Sequence, residues 1–241
     1  MRSVDQGAPE KKHKLVVSGH QPNYLPWLGF FDKMLQCDVF IIEDNVQFEQ
    51  QGFENRNRVK TLQKVVWLTV PVEHTGQPML ISEVKIANKA EPDWAKRHWL
   101  TLKYNYCKAH YWDEYSSFFE DAYSREWMML IDLNMHLIKG MMRFFNIEKP
   151  LVMSSTLDVS EQKSEKVLAQ CKALGATVHL SGMGGKGYLN LERFKEEGVE
   201  VVFQDFKHPV YAQLHGEFVP DLSAVDYLFC AGRKPWRAES S

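Results

Sequence analysis

The residues best suited to chemistry lie near the start of the chain, between Gly19 and Gly29. His20, Gln21, Asn23 and Tyr24 stand there between and beside two prolines, directly after a short apolar run. An imidazole titrates near neutral pH and can take a proton from an attacking amine or hydroxyl group. We therefore predict His20 as a catalytic base, and Gln21, Asn23 and Tyr24 as substrate-binding residues. The alternative for His20 is a turn histidine with an ordinary structural hydrogen bond.

Two acidic residues, Glu43 and Asp44, end the next apolar run. Successive side chains of a strand point to opposite faces, so one of the two acids should face the segment that contains His20. We predict that this residue is Asp44, which would orient the imidazole or act as a base itself. The alternative is a solvated loop acid.

A cationic segment follows, from Gly52 to Thr61. An arginine side chain is a planar receptor for phosphate or carboxylate, and asparagine amides bind hydroxyl and carbonyl groups. A charged loop is often merely solvated, but this one is dense in specific donors. The predicted substrate-binding residues are Asn55, Arg56, Asn57, Arg58 and Lys60.

A glycine-rich segment, Ser181 to Tyr188, follows a later apolar run and could hold an anion through its backbone N–H groups. It is not a Walker loop, because no Ser or Thr follows Lys186. Its glycines have G-x-G-x-x-G spacing, with Asp205 after the next run, but a helix is predicted only after Asn190, which argues against a dinucleotide site. We favour a phosphate-contacting loop over a ligand-free turn, with four residues as ligands: Gly184, Gly185, Lys186 and Tyr188. His208, in an aromatic and polar tail, would close over the same pocket.

The elements that must position these residues alternate between strand and helix. Such alternation indicates an α/β fold, with a mostly parallel sheet flanked by helices. Helical periodicity over about residues 91–146 predicts a helical insertion or subdomain in the middle. The predicted strands are Leu15–Ser18, Asp38–Glu43, Val65–Val72, Leu151–Ser154, Thr177–Ser181 and Val199–Phe203. Residues 44–61 are predicted as a loop, and 80–86 as a stretch that pairs with 65–72 across the turn at 74–78.

Composition narrows the class of protein. The 241 residues carry a net charge of −2, which gives no reason to expect a nucleic acid as a partner, and no apolar run is long enough for a membrane span. Residues 1–14 are polar and are predicted to be a disordered tail, before a single domain over 15–241. The four cysteines are far apart, without C-x-x-C spacing, so we expect reduced thiols, no metal site and a cytoplasmic location.

Several long segments, in order, resemble the WbqC-like family. They are His20 to Gly29, Gly52 to Thr61, Trp67 to Val72, Leu180 to Leu189 and Leu222 to Phe229. The resemblance spans about residues 15–232. It implies an enzyme found among bacterial O-antigen and related polysaccharide genes, which transfers glycine or another acyl group to an amino sugar. It assigns no catalytic residue.

These observations together predict a transferase that forms an amide on the amino group of a nucleotide-linked sugar. The donor would be a thioester of coenzyme A or of an acyl carrier protein. His20, helped by Asp44, would free the amine lone pair, while Asn57 or the glycine segment would stabilise the oxyanion. Arg56, Arg58 or Lys60, with Lys186, would hold the diphosphate. Two alternatives remain: an ATP-dependent ligase or nucleotidyltransferase-like enzyme, and a non-catalytic module that binds a sugar or a carrier protein.

Overall fold

The computed structural model describes residues 14–73, 76–234 and 236, which form two sheets. Five parallel strands form the main sheet in the order β5-β2-β1-β6-β7, and β3 and β4 form a separate antiparallel ribbon. The α/β fold class is confirmed. In chain order the strands are β1 (Val16–His20), β2 (Val39–Ile42), β3 (Arg56–Lys60), β4 (Val65–Thr69), β5 (Leu151–Met153), β6 (Val178–Ser181) and β7 (Glu200–Phe203).

Helices cover both faces of the main sheet. In β2, Phe40 and Ile42 face the core that holds helix α1 (Leu28–Leu35), whereas Ile41 faces a second core. That second core is formed with α5 (Lys163–Ala173) and α6 (Leu191–Glu196). From β1 the chain adds β2 and then β5 on one side of the sheet, and it then crosses back to add β6 and β7 on the other side. Because both crossovers are right-handed, α1 and α5 lie on opposite faces of the sheet. This two-sided burial explains why β2 and β5 are wholly apolar, whereas β1 and β6 carry polar residues near their carboxyl ends.

The predicted helical insertion lies between β4 and β5. It consists of α2 (Trp94–Tyr106), α3 (Trp112–Ser124) and α4 (Leu130–Phe144), which join the core on the α1 side. The last helix, α7 (Ala224–Ala231), packs against them and buries Asp226 completely. Tyr106 Oη and Tyr211 Oη each donate a hydrogen bond of 2.7 Å to that carboxylate. None of the described helices is both long and apolar enough to span a membrane.

The main error of the sequence prediction concerns the first connection after β2. Residues 44–61 were predicted as a loop, yet Arg56–Lys60 is a strand that pairs with β4. Its polar sequence hides it, because Asn57 and Lys60 are buried by side-chain hydrogen bonds rather than by apolar contact. The stretch 80–86 forms only isolated bridges and a short 3-10 turn, although Val72 does pair with Ile86. The predicted tail lies outside the described residues except for Lys14, and so do positions 74 and 75 of the predicted turn.

Candidate functional site

The strand order places the loops that follow β1 and β6 side by side at the carboxyl edge of the main sheet. Among the five strands of the main sheet, the order in space is third, second, first, fourth and fifth, which is the arrangement of doubly wound nucleotide-binding sheets. The direction of the chain switches between β1 and β6, so their carboxyl ends diverge into two loops. His20 ends β1 and Ser181 ends β6. Ligands of open α/β sheets bind in the crevice at such a point.

A cavity of about 650 Å³ opens at this switch point. Five of the residues predicted as site residues line it, and they come from the two segments that follow β1 and β6: His20, Gln21, Gly184, Gly185 and Tyr188. The expectation that the proline-containing segment and the glycine segment share one cavity is therefore correct as geometry. Their chemical roles remain predictions.

His20 is held in one tautomer. Its Nδ1 lies 3.0 Å from the carbonyl oxygen of Gln21, which can only accept, so Nδ1 carries the proton and Nε2 is an acceptor. The ring also packs edge-on against Phe30 at 5.2 Å. Burial, with the nearby charge of Lys33, lowers the pKa of His20 from 6.5 to about 3. The imidazole therefore stays neutral at physiological pH and is a poor proton acceptor, which weakens the predicted role as general base.

The sequence interpretation missed Lys33, which is the most unusual charged group of the site. Lys33 is only 4% exposed, lines the cavity, and donates from Nζ to the carbonyl oxygen of Gly19 at 2.9 Å. Burial lowers its pKa from 10.5 to about 8, although the charge of Glu43 opposes that change. A lysine with this pKa is partly neutral near pH 7 and can exchange a proton with a ligand. The signal in the sequence was a short helix so apolar on every side that its charged residues must be buried.

Of the two acids, Glu43 rather than the predicted Asp44 faces the cavity. Glu43 lines the cavity and forms an ion pair with Lys166, with Oε2 and Nζ 3.0 Å apart. Asp44 faces away, and its two oxygens accept hydrogen bonds from the backbone N–H and the hydroxyl group of Ser155, at 2.9 and 2.6 Å. The two side chains do point to opposite faces, but Glu43 rather than Asp44 is on the cavity side. Asp44 instead fixes the turn that follows β5.

The other predicted ligands lie away from this cavity. Asn23 is buried, and Tyr24 is a core residue whose hydroxyl group hydrogen-bonds with His98 and Tyr123. Within the cationic segment, Asn57 donates to the carbonyl oxygen of Leu25 and so supports the turn from inside. This placement removes Asn57 as an oxyanion donor.

The six other predicted ligands, from the cationic segment, the glycine segment and the aromatic tail, also have local partners in the fold. Asn55 donates to Val70, Arg56 stacks on Trp67, Arg58 donates to Asp221, Lys60 donates to Gln213, Lys186 lies over Phe203, and His208 packs between Phe206 and Tyr211. None of these six lines the cavity, so a diphosphate bound there would not meet the predicted arginines. Asn55 and Arg56 instead line a separate cavity of about 200 Å³.

Buried imidazoles predict a steep loss of stability in acid. Burial lowers the pKa of His20 and His98 to about 3 and that of His179 to about 4. Between pH 6.5 and about 4 the unfolded chain therefore binds protons that the folded chain does not, so stability falls as the pH falls. The limiting slope is about 4 kcal/mol per pH unit for three such groups. Urea unfolding at several pH values should show it, and His98→Gln should reduce the slope by about one third; an unchanged slope would contradict this assignment.

A second cavity of about 340 Å³ adjoins the first. His20, Lys33, Gly182 and Gly184 line both cavities, and we call this shared boundary the junction. The described residues contain no group of three or more His, Cys, Asp or Glu side chains placed to hold a metal ion.

The comparisons with known proteins cover nearly the whole chain. The model of the WbqC-like protein family matches residues 21–238. The chain is 34% identical over 215 residues to the protein named Uncharacterized protein Rv1507c of Mycobacterium tuberculosis (strain ATCC 25618 / H37Rv), covering 88% of this chain and 92% of that one. No solved structure matches the chain. The protein described here belongs to the WbqC-like protein family.

Proposed function

We propose that the protein is an amide-forming transferase that moves an acyl or aminoacyl group from a thioester to the amino group of a nucleotide-linked sugar. The observation that carries this proposal is Lys33, a buried amine with a pKa of about 8 at the junction of two cavities. The reaction needs a base, because a sugar amine is largely protonated at neutral pH and attacks only as the free amine. In the resembling family, the setting would be O-antigen or related polysaccharide synthesis in the cytoplasm.

Each group at the junction has a stated task in this reaction. Neutral Lys33 accepts the proton that the attacking amine loses, and the ammonium returns it to the departing sulfur. His20, with its Nε2 lone pair, accepts a hydrogen bond from the attacking amine and orients it. Glu43 lines the larger cavity, forms an ion pair with Lys166, and raises the pKa of Lys33 through its charge. The base is thus assigned to Lys33 rather than to His20.

The test is a search for product. Purified protein is incubated with a panel of acyl and aminoacyl coenzyme A thioesters and amino-sugar nucleotides, and amide formation is followed by mass spectrometry together with thiol release. We expect a product whose mass equals that of the amino-sugar nucleotide plus the acyl group, with one thiol released for each amide. Absence of product across the panel, and with carrier-protein donors, would overturn the proposal.

A nucleotidyl or adenylyl transfer is the second candidate, and one observation favours it. The segments after β1 and β6 line one cavity, so a triphosphate could contact both His20 and the glycine segment. The same panel separates the two reactions, because this alternative consumes a nucleoside triphosphate and releases diphosphate or AMP, whereas thioester transfer does neither. Ligand binding without turnover in either assay would instead favour a sugar-binding or carrier-binding module.

A further inference from the structure

A separate cavity of about 200 Å³ lies where the loop after β2 meets the ribbon of β3 and β4. None of its lining residues lines either of the cavities that meet at the junction. Its apolar wall consists of Phe48, Val70, Pro71 and Val72, and its polar lining consists of Gln50, Gln51, Asn55, Arg56 and Thr69. An apolar wall with a few placed polar groups is typical of sites that bind small ligands.

Arg56 is the cation of this cavity, and its guanidinium is oriented without the use of its hydrogen-bond donors. Its Cζ lies 4.3 Å from the centre of the Trp67 ring, and such stacking fixes the plane of an arginine. Among the residues that the structure describes, no carboxylate forms an ion pair with Arg56, and no group accepts a hydrogen bond from its side chain. An oriented and unpaired guanidinium fork is well suited to hold a carboxylate.

Two further polar groups of the lining are also unused. Thr69 stands opposite Arg56 in the register of the ribbon, so both side chains are on one face, and the Thr69 hydroxyl group has no hydrogen bond within the described part of the chain. Asn55 is only 7% exposed, and its Nδ2 donates to the carbonyl oxygen of Val70 at 3.0 Å. Its Oδ1, however, has no partner among the described residues. A buried amide oxygen without a partner is costly, so a ligand that donates to it would be stabilised.

We propose that this cavity binds a small organic acid that carries a hydroxyl or amino group on the carbon next to its carboxylate. Arg56 and Thr69 donate to the carboxylate, and Asn55 Oδ1 accepts from the neighbouring hydroxyl or amino group. The chemical class follows from the three unused groups, because the first two can donate and the third can only accept. The inference does not rest on the proposed function, since none of these residues takes part in the reaction at the junction.

Arg58 offers a matched control for Arg56. It lies on the same face of β3, and its Cζ lies 5.8 Å from the centre of the same Trp67 ring. It does not line the cavity, and its Nη2 donates to the carbonyl oxygen of Asp221 at 2.9 Å. Arg56→Met and Arg58→Met therefore remove the same charge beside the same indole, but only the first removes a group from the cavity. Thr69→Val keeps the shape of the side chain and removes its hydroxyl group, so it is a second variant that should fold.

The experiment follows the indole N–H signal of Trp67 by NMR while each probe is added to the full-length protein. The probes are L-lactate, L-alanine, propionate, lactamide and inorganic phosphate. L-lactate, L-alanine or both should give a saturable shift, and the comparison of the two separates a hydroxy acid from an amino acid. Propionate, which lacks the second group, should bind about tenfold more weakly than the better of the two. Lactamide, which lacks the charge, should give no saturable shift, and phosphate should bind more weakly than the better acid.

The variants test the assignment of each group. With the better acid as the probe, Arg56→Met should weaken binding by about thirtyfold and Thr69→Val by about fivefold, whereas Arg58→Met should change it by less than about twofold. The circular dichroism spectrum of each variant, recorded on the same sample, shows whether it is folded.

Four results would overturn the site. They are the absence of a saturable shift with both acids, equal binding of propionate or lactamide, tighter binding of phosphate, and unchanged binding in folded Thr69→Val. Equal losses in Arg56→Met and Arg58→Met would also overturn it, because the charge around Trp67 rather than the cavity would then attract the anion. None of these measurements depends on amide formation, so failure of the site and failure of the proposed function are seen separately.

Discussion

Lys33→Met is expected to reduce amide formation by about 10²- to 10⁴-fold, the usual contribution of a positioned proton acceptor. Methionine has a similar length and keeps the apolar contacts of α1, but it cannot take a proton from the attacking amine. The measurement is kcat and KM for the amino-sugar nucleotide at pH 7 to 9. The loss should fall on kcat, because the amine acts on the reacting atoms rather than on the whole ligand. A variant with at least one third of the original kcat would contradict the role of Lys33.

The same substitution should not destabilise the protein. Burial shifts the pKa of Lys33 from 10.5 to about 8, which means that the ammonium costs about 3 kcal/mol in the folded state at neutral pH. Methionine removes this cost and loses one hydrogen bond, to the carbonyl oxygen of Gly19. Urea unfolding at pH 7 should therefore show an unchanged or raised midpoint. Lys172→Met is the control, because Lys172 forms an exposed ion pair with Glu197 and should affect neither activity nor stability by much.

How much of this site the sequence predicts depends on the kind of signal that each residue gives. The edge shared by His20 and the glycine segment was predictable, because both follow apolar runs that read as parallel strands, and parallel strands end at one edge. The burial of Lys33 was predictable too, because Lys33 belongs to the apolar run Phe30-Phe31-Asp32-Lys33-Met34. Its place at the cavity was not, because it depends on the glycine segment, which comes from far along the chain: a Cβ added at Gly182 would lie 3.6 Å from Lys33 Nζ.

Several polar residues that the sequence predicts as ligands are hydrogen-bonded in the interior instead. The sequence predicts Asn57, Lys60 and Tyr24 as ligands because their side chains are polar, yet each hydrogen-bonds within the fold. Asn57 bonds to the carbonyl oxygen of Leu25, thirty-two positions away, and no local pattern reveals such a partner. Buried polar groups must be hydrogen-bonded, so a dense polar motif indicates a network inside the fold as readily as a site on it.

Asp44→Ala and Glu43→Gln should have opposite consequences although the two residues are neighbours. Asp44 is 3% exposed and accepts two hydrogen bonds from Ser155, so the alanine variant should lose about 2 kcal/mol of unfolding free energy. Because Asp44 does not line the cavity, the kinetics of the folded variant should be unchanged. Urea unfolding and initial rates, measured on the same preparations, check both statements.

Glu43→Gln should change the chemistry and leave stability within about 1 kcal/mol, because glutamine keeps the shape and Lys166 retains its bond to Asn45. The negative charge of Glu43 raises the pKa of Lys33, so its removal should lower that pKa further below the present value of about 8.

In the original protein kcat should rise with pH to an inflection near pH 8, as the Lys33 ammonium loses its proton. In Glu43→Gln the inflection should move to lower pH, in Asp44→Ala it should stay, and in Lys33→Met it should vanish. An inflection that remains in Lys33→Met would show that the titrating base is another residue. An inflection that is lost in Lys33→Met but does not shift in Glu43→Gln would show that the carboxylate of Glu43 does not affect the amine.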